Sequence, residues 1–100
     1  MKIAKEMTDD KLVLRLNGRL DTDGAPVLDG EIQSLSPEVR HLVIELSDVQ
    51  YISSAGLRIF VKAQDLMDER GTMLLKNPQK VVTDVLQMTG MLKIMEIEND

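Results

Sequence analysis

Leu42-Val43-Ile44-Glu45-Leu46 leads through Ser47-Asp48 into Val49-Gln50-Tyr51-Ile52-Ser53-Ser54-Ala55-Gly56-Leu57-Arg58-Ile59-Phe60. The first run reads as a strand and the residues after Ser54 have helical periodicity, so the junction lies at the carboxyl end of a strand. In open α/β sheets, ligands gather at that edge. Two hydroxyls there, with Gly56 two residues past the second, are the most specific chemistry in the chain. Ser53 or Ser54 is placed to cap the helix. Its polar stripe is narrow: Arg58, Lys62, Asp65 and Glu69. The remaining arc carries Leu57, Ile59, Phe60, Val61, Ala63, Leu66 and Met67, which predicts burial on more than one side. Gly71 releases the helix.

Upstream, Ile3 and Met7 suit a short edge strand, and Thr8-Asp9-Asp10 supplies turn chemistry. Leu12, Leu14 and Leu16 alternate with Val13 and Arg15, so the chain opens on an antiparallel hairpin that Gly18 ends or bends. Thr22 or Asp23 is then a candidate cap for a helix with Pro26 in its first turn, burying Ala25, Leu28, Ile32 and Leu35 and stopping at Ser36-Pro37. Downstream, Thr72–Lys76 is a short strand. Asn77-Pro78 opens a third helix and Gly90 closes it, with Val82, Val85, Leu86 and Met88 or Thr89 facing inward. Met91–Ile97 reads as the last strand. The predicted order is β-β-α-β-α-β-α-β, one α/β domain over residues 1–100. Its mixed, mostly parallel sheet of about five strands has helices packed against it, and right-handed crossovers join the parallel strands.

Composition narrows the function. Apolar residues make up 43% and charged residues 29%, with a net charge of -5. That balance argues against a nucleic-acid binder, which needs a basic face. There is no cysteine, so neither a disulfide nor a thiolate metal site forms. No apolar run approaches the ~18 residues of a membrane span, and the amino terminus lacks a signal-peptide core, which makes the cytoplasm the expected location. A serine hydrolase fails because the nucleophile elbow needs glycine two positions before the serine, where Ile52 stands. The only histidine, His41, begins the strand that leads to Ser54 and lies ~16 Å or more away along it, too far to act as a base. One histidine and scattered acids give no metal site, and Gly56 is followed by Leu57-Arg58 rather than by a Walker-type Lys. No cofactor and no enzymatic activity are expected.

The hairpin containing Leu16-Asn17-Gly18-Arg19-Leu20-Asp21, the run His41-Leu42-Val43-Ile44-Glu45-Leu46-Ser47-Asp48-Val49 and the segment Ile52-Ser53-Ser54-Ala55-Gly56-Leu57 together resemble a STAS domain. More narrowly they resemble the bacterial anti-sigma factor antagonists, over nearly the whole chain. In that family a serine at the start of the second helix is phosphorylated by a partner that is both serine kinase and anti-sigma factor. The unphosphorylated protein binds this partner and frees a sigma factor; phosphorylation breaks the complex, and a phosphatase resets it. The matching position is Ser54, with Ser53 the second candidate. Ser53 stands where many members carry Asp, Ala55 where many carry Ser or Thr, and Gly56-Leu57 match directly. Asp21 falls in the family's partner-docking region. The resemblance thus implies partner contacts at Asp21, Thr22, Ser53, Ser54, Gly56, Leu57 and Arg58, with Gly56 keeping the loop small for close approach. Arg19 departs from the acidic residue of some members.

Many members also carry a helix after the last strand, whereas this sequence stops at Asp100. Met88, Met91 and Met95 are therefore candidates for an uncovered patch, and the family resemblance admits a homodimer. From spacing alone, both serines read as plain helix caps; the resemblance turns Ser54 into a phosphoacceptor. The alternative is a non-switched STAS module of a transporter or sensory complex.

Overall fold

The computed structural model describes residues Met1–Asp100. The elements run β1 (Lys2–Thr8), β2 (Lys11–Leu20), α1 (Ala25–Gln33), β3 (His41–Ile52), α2 (Ser54–Asp68), β4 (Thr72–Lys76), α3 (Lys80–Met88), a 3₁₀ turn (Met91–Lys93) and β5 (Glu96–Glu98). The expected order holds. The sheet follows the sequence, β1-β2-β3-β4-β5, with β1 antiparallel to β2 and every other pair parallel. A sheet that advances one strand per crossover, always with the same hand, places its helices on one face.

That face holds the core. Leu14, Leu16, Leu42, Ile44, Leu46, Met73 and Leu75 from the strands join Leu28 and Ile32 of α1, Phe60, Ala63 and Met67 of α2, and Val82 and Leu86 of α3 in one buried cluster. Phe60 is the chain's single phenylalanine and is fully buried. The opposite face presents Val13, Arg15, Val43, Glu45 and Lys76 and has no helix over it.

Four local expectations are corrected. First, β3 extends to Ile52, because Val49 and Ile52 continue the buried face and pair with the end of β2 across two register shifts. The loop before α2 is therefore one residue long. Second, Asn77 does not cap α3, which begins at Lys80 with Gln79 at its N-cap position. Asn77 instead takes a left-handed backbone (φ 55), which Asn tolerates better than most residues. There its Nδ2 donates to Glu45 Oε2 (3.1 Å) and Asp100 Oδ2 (3.2 Å), and its Oδ1 accepts from the Asp100 N–H (2.8 Å). Third, Met91–Lys93 is a 3₁₀ turn following Gly90 at φ 76, so the last strand shrinks to Glu96–Glu98. Fourth, the three methionines do not form one patch: Met95 is buried at 4% exposure, Met91 packs partly on the core, and Met88 points outward at 80%. Met88 and Thr89, the two alternatives for the last inward position of α3, are both exposed, so neither faces the core.

Asn77 also donates its backbone N–H to Glu98 O (2.9 Å), so it ties β5 to the end of β4. Asn77→Gly keeps the left-handed backbone accessible and deletes the side-chain ties. It should speed amide hydrogen exchange in Glu96–Glu98 several-fold while leaving β2 and β3 protected; equal exchange in all three strands would contradict this role.

Candidate partner-docking and modification site

The end of β2 and the start of α2 meet on one carbonyl. Leu20 O accepts from the Ser53 backbone N–H (2.9 Å) and from Ser53 Oγ–H (3.1 Å). Ser53 Oγ also accepts from the Gly56 N–H at 3.4 Å, the long end of a capping bond. Ser53 is thus the cap of α2 and is half-buried, its hydroxyl in use on both sides. Ser54, the first helical residue, is exposed and its hydroxyl has no partner within the chain. One serine is structural; its neighbour is free.

Gly56 has a different reason from the one expected. It is buried, and a Cβ there would lie 2.7 Å from Leu20 Cγ and 2.8 Å from Leu20 O. Its missing side chain lets α2 rest on the end of β2, so it serves the interior rather than a visiting partner. Leu57 is likewise half-buried against the core.

Beyond Leu20 the chain turns at Asp21, whose Oδ1 accepts from the N–H groups of Gly24 (2.9 Å) and Asp23 (3.1 Å). This turn replaces the expected cap: neither Thr22 nor Asp23 caps α1, whose N-cap is Gly24 with no side-chain bond. The Gly24 N–H is the largest influence holding the Asp21 carboxyl below its usual range, against partial desolvation, with the Asp23 N–H and Arg19 assisting. Arg19 lies 3.5 Å from Asp21 Oδ2 and stacks over the Tyr51 ring at 4.4 Å. Thr22 is exposed, and so is Arg58, which makes no ion pair.

Between the leading ends of α1 and α2 lies a groove of about 240 Å³ lined by Thr22, Ala25, Pro26, Asp29, Ala55, Arg58 and Ile59. It adjoins Ser54 through Ala55. Sequence reading found Thr22 and Arg58 of this set but assigned Ile59 to the buried arc and missed Asp29. Asp29 sits at the groove's far end, where Lys62 Nζ lies 2.7 Å from its Oδ1 and holds its carboxyl below the usual range. Lys62 on the narrow polar stripe of α2 was the available signal, but nothing local to α1 names its partner. The chain offers no group of three or more metal-ligating side chains, and no helix is long and apolar enough to cross a membrane.

The family profile described as STAS domain matches residues 2–100. BtrV of Bordetella bronchiseptica, provisionally named an anti-sigma factor antagonist, is 30% identical over 101 residues, covering 99% of this chain and 87% of its own length. The anti-sigma-B factor antagonist of Bacillus subtilis is 28% identical over 93 residues, covering 92% and 85%. Among solved structures, the anti-sigma factor antagonist SpoIIAA in its unphosphorylated form superposes with a TM-score of 0.79 at 18% identity, over 99% of this chain and 89% of that one. Bacillus SpoIIAA in the phosphorylated form gives 0.76 at 21%, over 97% and 91%.

Two outcomes check this geometry. Ser53→Ala should lower stability by about 1 kcal/mol through loss of the cap, whereas Ser54→Ala should stay within about 0.5 kcal/mol of the parent in urea unfolding. Because the folded Asp21 carboxyl is held below its usual value, its contribution is present above about pH 4. It is lost as pH falls through the lowered value. Protection of the Asp23 and Gly24 amides should fade in that acid window, and Asp21→Asn should remove the pH dependence.

Proposed function

The chain belongs to the STAS domain family, and on that footing we propose that it is an anti-sigma factor antagonist switched by phosphorylation of Ser54. The unphosphorylated protein binds a serine-kinase anti-sigma factor in the cytoplasm. The surface it presents is the edge formed by Asp21, Thr22, Ser54 and Arg58 together with the groove between α1 and α2. Ser53 and Leu57 support that edge from below, and Gly56 seats the helix that carries it. The kinase modifies Ser54 and is released, and a phosphatase restores the serine. The protein itself carries out no catalysis.

The observation that carries this reading is the split between adjacent hydroxyls. A kinase needs a reachable oxygen, and Ser54 offers one while Ser53 is engaged by Leu20 and Gly56. The named relatives agree in kind, being anti-sigma factor antagonists by name.

Magnitudes favour a surface switch over refolding. A phosphoserine adds about -1.5 to -2 charge. A like charge ~4 Å away across the interface costs ~4 kcal/mol at an effective dielectric of 20. With a third to a half of that surviving screening, affinity falls about ten- to thirtyfold. Within the domain, α2 itself favours the new charge. The leading N–H groups of α2 tolerate negative charge, and Arg58 stands one turn on, at the i+4 spacing of helical ion pairs. That SpoIIAA, a relative in fold, has been solved in both forms and that this chain superposes similarly on each accord with a switch that leaves the fold in place.

Incubation with the cognate kinase and ATP should place a single phosphate on Ser54 by peptide mapping; a phosphate on Ser53 instead would refute the assignment. In titration calorimetry against that kinase, Ser54→Asp should bind about tenfold more weakly than the parent and Ser54→Ala about as well. Equal affinities for both variants would count against the charge argument.

A further inference from the structure

The helix-free face of the sheet is not flat. It carries a partly open cavity of about 380 Å³ whose lining includes Lys11, Val13 and Arg15 of β2, Val43 and Glu45 of β3, and Lys76 of β4. Glu6 and Thr8 of β1 and Asp100 complete it. None of these residues belongs to the groove beside Ser54. The floor is apolar: Val13 and Val43 are register partners, and Val43 is only 6% exposed although no helix covers it. The rim is charged and balanced, with Lys11, Arg15 and Lys76 against Glu6, Glu45 and Asp100.

The signs alternate in space. Arg15 pairs in register with Glu45, and Glu45 with Lys76, so positive, negative and positive groups stand on neighbouring strands about 4.8 Å apart. Part of this charge is already engaged. Lys76 Nζ lies 3.2 Å from Asp100 Oδ1, and Glu45 accepts from Asn77 Nδ2 (3.1 Å) and the Ser47 N–H (3.1 Å). On the β2 side the engagement is thin. Arg15 has one loose contact with Glu6 (3.7 Å), and Lys11 and its cross-strand neighbour Thr8 have no side-chain partner.

We propose that this cavity is a binding site for a free α-amino acid. A simple anion would be drawn to Lys11 and Arg15 but would face Glu6 and Glu45, and a simple cation would meet the reverse. A compact zwitterion satisfies both signs at once: its carboxylate faces Lys11 and Arg15, its ammonium faces Glu45, and a short side chain lies over Val13 and Val43. The volume is at the lower end of small-molecule sites, which suits a metabolite of that size.

The test is amide chemical-shift titration of the full chain with alanine, serine and glutamine, using acetate and methylamine as single-charge fragments. At least one of the three amino acids should give saturable shifts at Val13, Val43 and Glu45 at concentrations where neither fragment does. Lys11→Gln and Arg15→Gln, both at exposed positions, should each weaken that binding about tenfold, the value of one charge-assisted contact. Lys93→Gln, outside the cavity, should leave it unchanged. Absence of saturable shifts with all three amino acids overturns the proposal. So does acetate matching them at the same amides, or full affinity in both glutamine variants.

Discussion

Everything at the functional edge is set by how closely the start of α2 approaches the end of β2. Leu20 is fully buried, its carbonyl receives two hydrogen bonds from Ser53, and its side chain occupies the space that a Cβ on Gly56 would take. A side chain at position 56 would push the helix off β2, and loss of the Ser53 bonds would loosen its first turn. Held this way, α2 begins one residue after β3 ends, with its register fixed. The turn that begins at Asp21 follows directly from the same clamp, so both halves of the proposed docking edge inherit their positions from one contact.

That clamp also separates stability from regulation. The residue that does the capping is not the residue proposed for modification, so charge can be added at Ser54 without dissolving the helix start. The sequential strand order adds a second separation. Helices and the core occupy one face, the proposed switch lies along the edge, and the charged cavity lies on the other face. A change at one of these places need not pass through the core to leave the others intact.

The sequence was most legible where periodicity is strong. The alternation in β2, the buried stripe of α1 and the broad apolar arc of α2 led to the observed element order, and Thr72–Lys76 was found to the residue. It was least legible where one residue type serves two physical roles. Adjacent serines at a helix start look alike until hydrogen bonds show that only Ser53 is engaged. Gly56 suggested an open approach to a partner, yet the neighbour that needs the space is Leu20, 36 positions earlier in the chain. Asn before Pro suggested a cap, but long-range bonds to Glu45 and Asp100 won over the local preference. The apolar run Met91–Met95 mimicked a strand because the turn after Gly90 also buries Met95. The Asp29–Lys62 pair joins two helices and has no local signature at all.

The central claim is that a phosphate at Ser54 acts on the surface while the fold stands still. Comparison of backbone amide shifts before and after phosphorylation tests it most directly. The account predicts changes confined to the start of α2 and the turn from Leu20 to Ala25, with β2, β3 and β4 otherwise unmoved. Shifts spread through those central strands would contradict it.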